Sequence, residues 1–174
     1  MPHGYKKTDL FGGALTCDLP DNFADVSTIR KVPDNQEVYI DKDGFTSIIF
    51  DIGEDADTVK VWNTTETQFS RLDSSIPAYT LIATQTPRPR KPEDDAPRNA
   101  PDFTALILTL VRLEKEKTDV LITINVPHIK GEYDEEQVDM ELGKQGELIG
   151  DAVEYAARIW ATFAVHDWRL FGEV

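Results

Sequence analysis

The sequence predicts an α+β protein built as a three-layer α/β/α sandwich around one mostly antiparallel sheet. Residues 103–113 have the length of a strand and are apolar on both alternating faces, so both faces need covering layers. The charged turn 114–117 leads to a second apolar segment, 119–126, and the pair has the form of an antiparallel hairpin. Residues 147–163 carry a continuous apolar stripe at helical spacing, which predicts a covering helix.

The N-terminal segments predict a strand followed by a helical turn. Residues 14–19 alternate in polarity, as in a half-buried strand, and Gly12 and Gly13 before them permit a bulge. In residues 22–29 the apolar side chains recur every three residues, which is typical of a short helical turn.

A hairpin is predicted next in the chain. Residues 36–41 are rich in residues that favour strands, and residues 46–52 form a similar segment. The turn residues Lys42, Asp43 and Gly44 lie between them, so we expect the two segments to pair.

The middle of the chain predicts a helix, a strand and an exposed loop. Residues 55–74 place apolar side chains on one helical face, although several threonines weaken helix propensity, and residues 78–84 resemble a strand. Residues 86–101 hold five of the ten prolines without apolar periodicity, so we expect an exposed loop. Its Pro-x-x-Pro pattern, Pro89 to Pro92, is explained more simply by a plain loop than by docking to an aromatic groove.

The length and charge limit the classes of protein to consider. A chain of 174 residues is most simply one domain, here residues 1–174. Its net charge of −14 predicts no binding to nucleic acid or to anionic membranes and favours a basic partner, although solubility alone also explains such a charge. Residues 132–141 hold six acidic residues and no basic one, which indicates a solvated segment more than a site for a basic ligand.

The cysteine content and the N-terminal residues predict an intracellular protein. Cys17 is the single cysteine, which excludes an internal disulfide, and its apolar surroundings favour a buried side chain. No apolar core of a signal peptide follows the first residues, and the apolar stretch 105–113 is too short to span a membrane.

No pattern in the sequence predicts catalysis, a metal site or a cofactor. His3, His128 and His166 lie far apart without the spacing of metal ligands. His166 and Asp167 are adjacent, which favours a capping or core role over an acid–base pair. The chain also lacks a nucleophile elbow and a phosphate-binding loop, so we interpret it as a binding protein and not as an enzyme.

Residues 30–39 are the strongest candidate for a contact surface. Pro33 starts a polar turn that leads directly into the strand predicted at 36–41. Asp34 and Glu37 lie at the start of that strand, so two carboxylates are expected at the rim of the sheet. The alternative is that Asp34 caps a turn and that Glu37 is a solvated residue of an edge strand.

Three segments together resemble one known family. They are Leu10-Phe11-Gly12-Gly13-Ala14, Asp25-Val26-Ser27 and the block from Arg30 to Tyr39, Arg-Lys-Val-Pro-Asp-Asn-Gln-Glu-Val-Tyr. In this order near the N-terminus they resemble the Ran guanine nucleotide release factor family. The later segment from Thr118 to Pro127 resembles the central strand of that family.

The resemblance implies a fold, a partner and a site. The fold is the α/β/α sandwich shared with PsbP proteins. The partner is the GTPase Ran, in its GTP or nucleotide-free form, and the activity is promotion of GTP release in support of nuclear import, without cofactor or catalytic chemistry. The expected location is the nucleus with a cytoplasmic pool, and the need for a second Ran-binding protein is left open. Asp34 and Glu37 are the implied contacts, with Asp25, Asn35 and Gln36 secondary.

Two regions depart from the family pattern, and two other functions remain open. Residues 62–75 are rich in threonine where relatives are more acidic, and the loop 87–101 is particular to this chain, so any contact there is left open.

A PsbP-like structural or ligand-binding module without a GTPase partner is the main alternative function, because fold does not fix function. An enzyme with an unrecognised site is the third.

Overall fold

A computed structural model describes residues 4–53, 60–86 and 100–172 of the chain. The strands are β1 (Tyr5–Leu10), β2 (Leu15–Pro20), β3 (Phe23–Asp25), β4 (Gln36–Asp41), β5 (Ser47–Gly53), β6 (Lys60–Glu66), β7 (Ala78–Gln85), β8 (Phe103–Leu113), β9 (Thr118–His128), β10 (Val138–Asp139), β11 (Lys144–Gln145) and β12 (Ala164–Val165). The α-helix in this part of the chain is α1 (Gly146–Thr162). Short 3-10 turns occur at Phe11–Gly13, Val26–Thr28, Glu135–Gln137, Met140–Leu142 and Trp168–Phe171.

A seven-stranded antiparallel sheet forms the centre of the protein. Its strand order is β3-β4-β5-β9-β8-β7-β6, and a smaller sheet has the order β1-β2-β12. The long strands β8 and β9 pair along their whole length, from Phe103 opposite His128 to Leu113 opposite Thr118. The α+β class with one mostly antiparallel sheet is therefore confirmed.

One face of the large sheet carries the core. Every second residue of β8 and β9 is buried on this face, and α1 packs on β8, β9 and β2. The helix buries a stripe along its length: Ile149, Ala152, Tyr155, Ala156 and Ile159. This stripe confirms the helix predicted over 147–163, with a shift of one residue at each end. None of the helices that the structure describes has the length and apolar character of a membrane span.

The opposite face of the sheet is less covered than the sequence predicts. Leu106, Leu108 and Leu110 are only half-buried, and the described residues place their one α-helix on the other face. On this face Leu108 lies opposite Leu81 of β7, so apolar side chains shield one another across neighbouring strands. Such cross-strand packing explains apolar residues on both faces without a second helical layer among the described residues.

The N-terminal half confirms two strand predictions and corrects a third element. The strand predicted at 14–19 is β2, but its prediction as half-buried is wrong, because five of its six residues are buried. The hairpin predicted from 36–41 and 46–52 is the antiparallel pair β4–β5. The helical turn predicted for 22–29 is wrong in its first half, because Phe23–Asp25 forms β3 and pairs with β4. Only Val26–Thr28 forms a 3-10 turn.

The helix predicted for residues 55–74 is wrong where the structure describes it. Lys60–Glu66 is the strand β6, which pairs with β7 at the edge of the large sheet. Threonine loses rotamer freedom in a helix and packs well on a pleated surface, so the threonines at 64 and 65 favour the strand. Residues 54–59 lie outside the described part of the chain.

The remaining predictions are tested in part. The strand predicted at 78–84 is β7. Of the loop predicted at 86–101, residues 87–99 lie outside the described residues, and Thr86, Ala100 and Pro101 have no regular structure. The acidic segment 132–141 is mostly exposed, and Asp134 and Asp139 cap its two 3-10 turns, which agrees with a solvated segment.

We expect Gly146→Ala to lower the free energy of unfolding by about 1–2 kcal/mol. Gly146 begins α1 with φ of 76°, and an added Cβ would lie 2.7 Å from Cγ2 of Val138. Gly150→Ala is the matched control, because Gly150 lies inside α1 with its nearest neighbouring atom at 3.9 Å. That change should raise stability by about 0.5–1 kcal/mol. Urea unfolding measures both, and equal effects of the two changes would contradict the assigned geometry.

Candidate interaction site

An open groove lies where the end of β1, the turn Phe11–Gly13 and the start of β4 meet. Its volume is about 780 Å³. The groove is lined by Asp9, Phe11, Gly12, Asp25, Ser27, Val32, Pro33, Asp34, Gln36, Glu37 and Leu170. Four of these residues are acidic and none is basic, so the groove favours a positively charged partner.

The polar turn before β4 presents Asp34 to solvent. The Gln36 N–H donates to the Pro33 carbonyl at 3.0 Å, which closes the turn that Pro33 predicts. Asp34 is exposed, and its carboxylate forms no hydrogen bond or ion pair with a described residue. The alternative that Asp34 caps the turn is therefore not supported, and its charge is available to a partner.

Glu37 is half-buried and holds the neighbouring turn. Its Oε1 accepts a hydrogen bond of 2.9 Å from the N–H of Phe11. Phe11 has φ of 49° and begins a turn that glycines continue at positive φ. This backbone is costly for a residue with a side chain, so the contact from Glu37 stabilises an otherwise unfavourable turn.

The charge of Glu37 is held in a partly desolvated position. Burial raises the pKa of the Glu37 carboxyl, and the nearby charge of Asp25 raises it further, while the Phe11 N–H acts in the opposite direction. A carboxylate that has lost part of its water gains more from a cationic partner than an exposed one does. Both Asp34 and Glu37 remain reachable from the groove.

The three secondary candidates have partners within the fold. The Asp25 carboxylate accepts from the Ser27 N–H at 2.8 Å and caps the turn Val26–Thr28. The side-chain amides of Asn35 and Gln36 donate to the two oxygens of Asp51, at 2.9 Å and 3.3 Å. These contacts hold the hairpin, and a contact of the three residues with a partner stays a prediction.

Several groove residues were not singled out from the sequence. Asp9 is the last but one residue of β1, and its carbonyl lies 3.5 Å from the hydroxyl of Tyr39. Leu170 reaches the groove from the C-terminal 3-10 turn. No local pattern predicts that Leu170 approaches residues so distant in sequence. Asp9, in contrast, is an acidic residue two positions before Phe11, so the sequence alone could have indicated it as a groove residue.

The adjacent residues His166 and Asp167 lie outside the groove and have contacts within the fold. Nε2 of His166 lies 2.7 Å from Oγ1 of Thr16, and Asp167 caps the turn Trp168–Phe171 and pairs with Arg169 at 3.0 Å. A capping role for Asp167 agrees with the sequence prediction. Within residues 4–53, 60–86 and 100–172, no group of three or more His, Cys, Asp or Glu side chains is arranged to hold a metal ion.

We expect Glu37→Gln to make the protein more stable at neutral pH and to flatten the pH dependence of its stability. The pKa of Glu37 is raised in the folded protein above its ordinary value of 4.5. The free energy of unfolding therefore falls as the pH rises from this ordinary pKa through the pKa of the folded state. Glutamine removes this titration and keeps an oxygen that accepts from the Phe11 N–H. Urea unfolding from about pH 4 to about pH 8 measures the effect. Parallel curves for the two proteins would contradict the burial of this carboxylate.

Fold and groove together define a class of protein: an α+β protein on a mostly antiparallel sheet that presents an open acidic groove beside one edge strand. The sequence profile of the family described as Ran-interacting Mog1 protein matches residues 8–72 and 53–127. The chain belongs to this family, as its resemblance to Ran guanine nucleotide release factors predicts.

Individual relatives agree with this assignment. A probable ran guanine nucleotide release factor of Dictyostelium discoideum is 30% identical over 152 residues, which is 72% of this chain and 75% of that protein. The nuclear import protein MOG1 of Saccharomyces cerevisiae is 29% identical over 160 residues, 73% of this chain and 68% of that protein. The crystal structure of the S. cerevisiae Ran-binding protein Mog1p superposes with a TM-score of 0.66 at 26% identity, over 98% of this chain and 100% of that one.

Proposed function

We propose that this protein binds the small GTPase Ran through the acidic groove and promotes release of guanine nucleotide, mainly GTP, in support of nuclear protein import. The observation that carries the proposal is the groove itself, which gathers Asp9, Asp25, Asp34 and Glu37 without a basic residue. Relatives of this chain are named as Ran guanine nucleotide release factors and nuclear import proteins. An acidic surface in such a family suits a basic patch on the GTPase.

Release of a nucleotide requires no bond-making chemistry in the release factor. The factor has only to bind the nucleotide-poor state of the GTPase more tightly than the loaded state. Asp34 offers an exposed charge for a lysine or arginine of Ran, and Glu37 offers a partly desolvated one. The same carboxylates also disfavour the nucleotide phosphates by repulsion, and each route favours the nucleotide-poor state.

The other parts of the proposal follow from this activity. The chain acts as one Ran-binding domain over residues 1–174, as a regulator and not as an enzyme. It meets Ran in the GTP-bound or nucleotide-free form, in the nucleus and in a cytoplasmic pool. Adding a second Ran-binding protein to the release assay tests whether such a protein assists.

The release of labelled GTP from Ran tests this function. We expect faster release with the protein than without it, and much weaker acceleration at the same concentration of the double variant Asp34→Asn with Glu37→Gln. These changes neutralise two groove charges and retain the acceptor for the Phe11 N–H. Unchanged release in the presence of the folded wild-type protein would refute the function, whereas equal acceleration by the variant would refute only the site.

A further inference from the structure

The acidic groove also has an apolar part, which the charge of the protein does not explain. Phe11, Val32, Pro33 and Leu170 line the groove together with its carboxylates. They come from three segments far apart in the chain: the turn Phe11–Gly13, the loop before β4 and the C-terminal 3-10 turn. Single apolar residues at a protein surface are ordinary, but apolar residues gathered in one groove indicate a contact with a partner.

Backbone hydrogen bonds hold the C-terminal 3-10 turn against the turn that begins at Phe11. The N–H groups of His166 and Asp167 both donate to the Ala14 carbonyl, at 2.8 Å and 3.2 Å. The Ala14 N–H donates to the Phe11 carbonyl at 3.3 Å, and the Leu170 N–H donates to the Asp167 carbonyl at 3.3 Å. The same series of hydrogen bonds therefore fixes the backbone of both groove residues. A partner meets them with little further loss of conformational freedom.

The apolar part of the groove is accessible to a partner. Phe11, Val32 and Leu170 are half-buried, and Pro33 is exposed. Phe11 and Leu170 also pack against the core, whereas Val32 lies outside the core cluster. A partner that covers these side chains removes apolar surface from water, which favours binding.

The carboxylates of the groove decide the charge of the segment that covers it. Asp9 and Asp34 are exposed, Asp25 and Glu37 are half-buried, and no lining residue is basic. A purely apolar segment would bury these charges without partners, which is costly, so the groove favours a segment that also brings cations. Because the groove is open, it suits the surface of a protein more than a small molecule, which needs an enclosed pocket.

We propose that the groove binds a segment of Ran in which an apolar side chain lies next to lysine or arginine residues. The apolar side chain contacts Val32 and Leu170 beside Phe11, and the cations pair with Asp34 and Glu37. This division rests on the proposed function of the groove and assigns a separate part to each set of residues. The carboxylates cause the salt dependence of Ran binding, and the apolar residues contribute affinity that salt does not screen. The C-terminal 3-10 turn is thereby part of the binding surface.

Isothermal titration with nucleotide-free Ran at about 0.05 M and about 0.5 M salt tests the apolar contact. We expect Leu170→Ala to weaken binding about tenfold at both salt concentrations, because the lost contact is apolar. Asp34→Asn combined with Glu37→Gln should instead reduce the loss of affinity that salt causes in the wild-type protein.

Leu72→Ala is the matched control for the truncation in the groove. Leu72 is a half-buried leucine that packs against the core, as Leu170 does, but it does not line the groove. Urea unfolding should show a similar loss of stability in the two variants, while only Leu170→Ala binds Ran more weakly.

Val32→Thr decides the question if Leu170→Ala does not fold. The change nearly keeps the shape of a side chain outside the core, so the fold should persist. It places a hydroxyl group where the apolar side chain of Ran makes its contact, so Ran should bind several-fold more weakly at both salt concentrations.

The same titrations separate this inference from the proposed function. Absence of Ran binding by the folded wild-type protein would refute the proposed function and the apolar contact with it. Binding by the wild-type protein together with equal affinities of the groove variant and Leu72→Ala would overturn the apolar contact alone. A loss of affinity in the groove variant that disappears at high salt would overturn it as well.

Discussion

Asp34→Asn combined with Glu37→Gln should weaken binding of Ran by about 30-fold to 5,000-fold. Removing one partner of a desolvated ion pair at an interface costs about 2–5 kcal/mol, and each 1.4 kcal/mol is about tenfold in the dissociation constant. Asp34 is exposed without a partner among the described residues, and Glu37 is partly desolvated. In the proposed complex both carboxylates pair with cations of Ran. Isothermal titration with nucleotide-free Ran measures the loss.

A second double variant separates the groove from net charge. Asp43→Asn combined with Glu114→Gln also removes two negative charges, but from exposed turns that do not line the groove. It should change affinity only slightly and in a way that salt removes, because exposed charges at a distance are screened. An equal loss in the two double variants, both folded, would show that the groove has no special part in binding.

Phe50→Ala should lower the free energy of unfolding by about 3–5 kcal/mol, which is the usual cost of removing a buried phenylalanine side chain. Phe50 has no exposed surface, and its ring forms a T-shaped pair with the ring of Tyr39, with the two centroids 6.5 Å apart. It lies opposite Glu37 on β4 and opposite Ile122 on β9, so it joins the edge that bears the groove to the centre of the sheet. The loss is measured by urea unfolding.

Phe45→Ala is the matched control for this core position. Phe45 is 48% exposed in the turn before β5, so the same truncation there should cost less than about 1 kcal/mol. A similar loss at both phenylalanines would contradict the assignment of Phe50 to the core. Retention of full stability in Phe50→Ala would contradict it as well.

Strands with local alternation were predictable from the sequence, and so was the long helix. Residues 14–19 alternate in polarity although β2 is almost fully buried, the residues of β4 favour strands, and β5 alternates between buried and half-buried side chains. The helix α1 has its apolar stripe at helical spacing. These patterns depend only on near neighbours in the chain. The position of Asp34 and Glu37 at the start of β4 follows from the same local pattern, because the turn at Pro33 fixes where the strand begins.

Elements decided by distant partners were not predictable in this way. Residues 55–74 have apolar residues at spacings that fit a helix, yet Lys60–Glu66 forms β6, and its strand form depends on pairing with β7. The leucines on the second face of β8 predict a covering layer, yet they pack beside apolar residues of the neighbouring strand. In both cases the sheet supplies the neighbours that the local sequence does not contain.

The groove, too, was predictable from the sequence only where it depends on local patterns. Asp34 and Glu37 were visible in one block, but Leu170 joins them only through the fold. The contact between Glu37 and the Phe11 N–H links β4 to the turn after β1, across 26 residues, and no spacing rule predicts it. The engagement of Asn35 and Gln36 with Asp51 depends likewise on the register of the β4–β5 hairpin.

Backbone hydrogen exchange of the full chain with and without nucleotide-free Ran tests most directly whether the acidic groove is the contact surface. Slower exchange is expected in the turn Phe11–Gly13 and in residues 32–37, with little change in the turn 114–117 between β8 and β9. Protection confined to that distant turn, with the groove exchanging as in the free protein, would contradict the account.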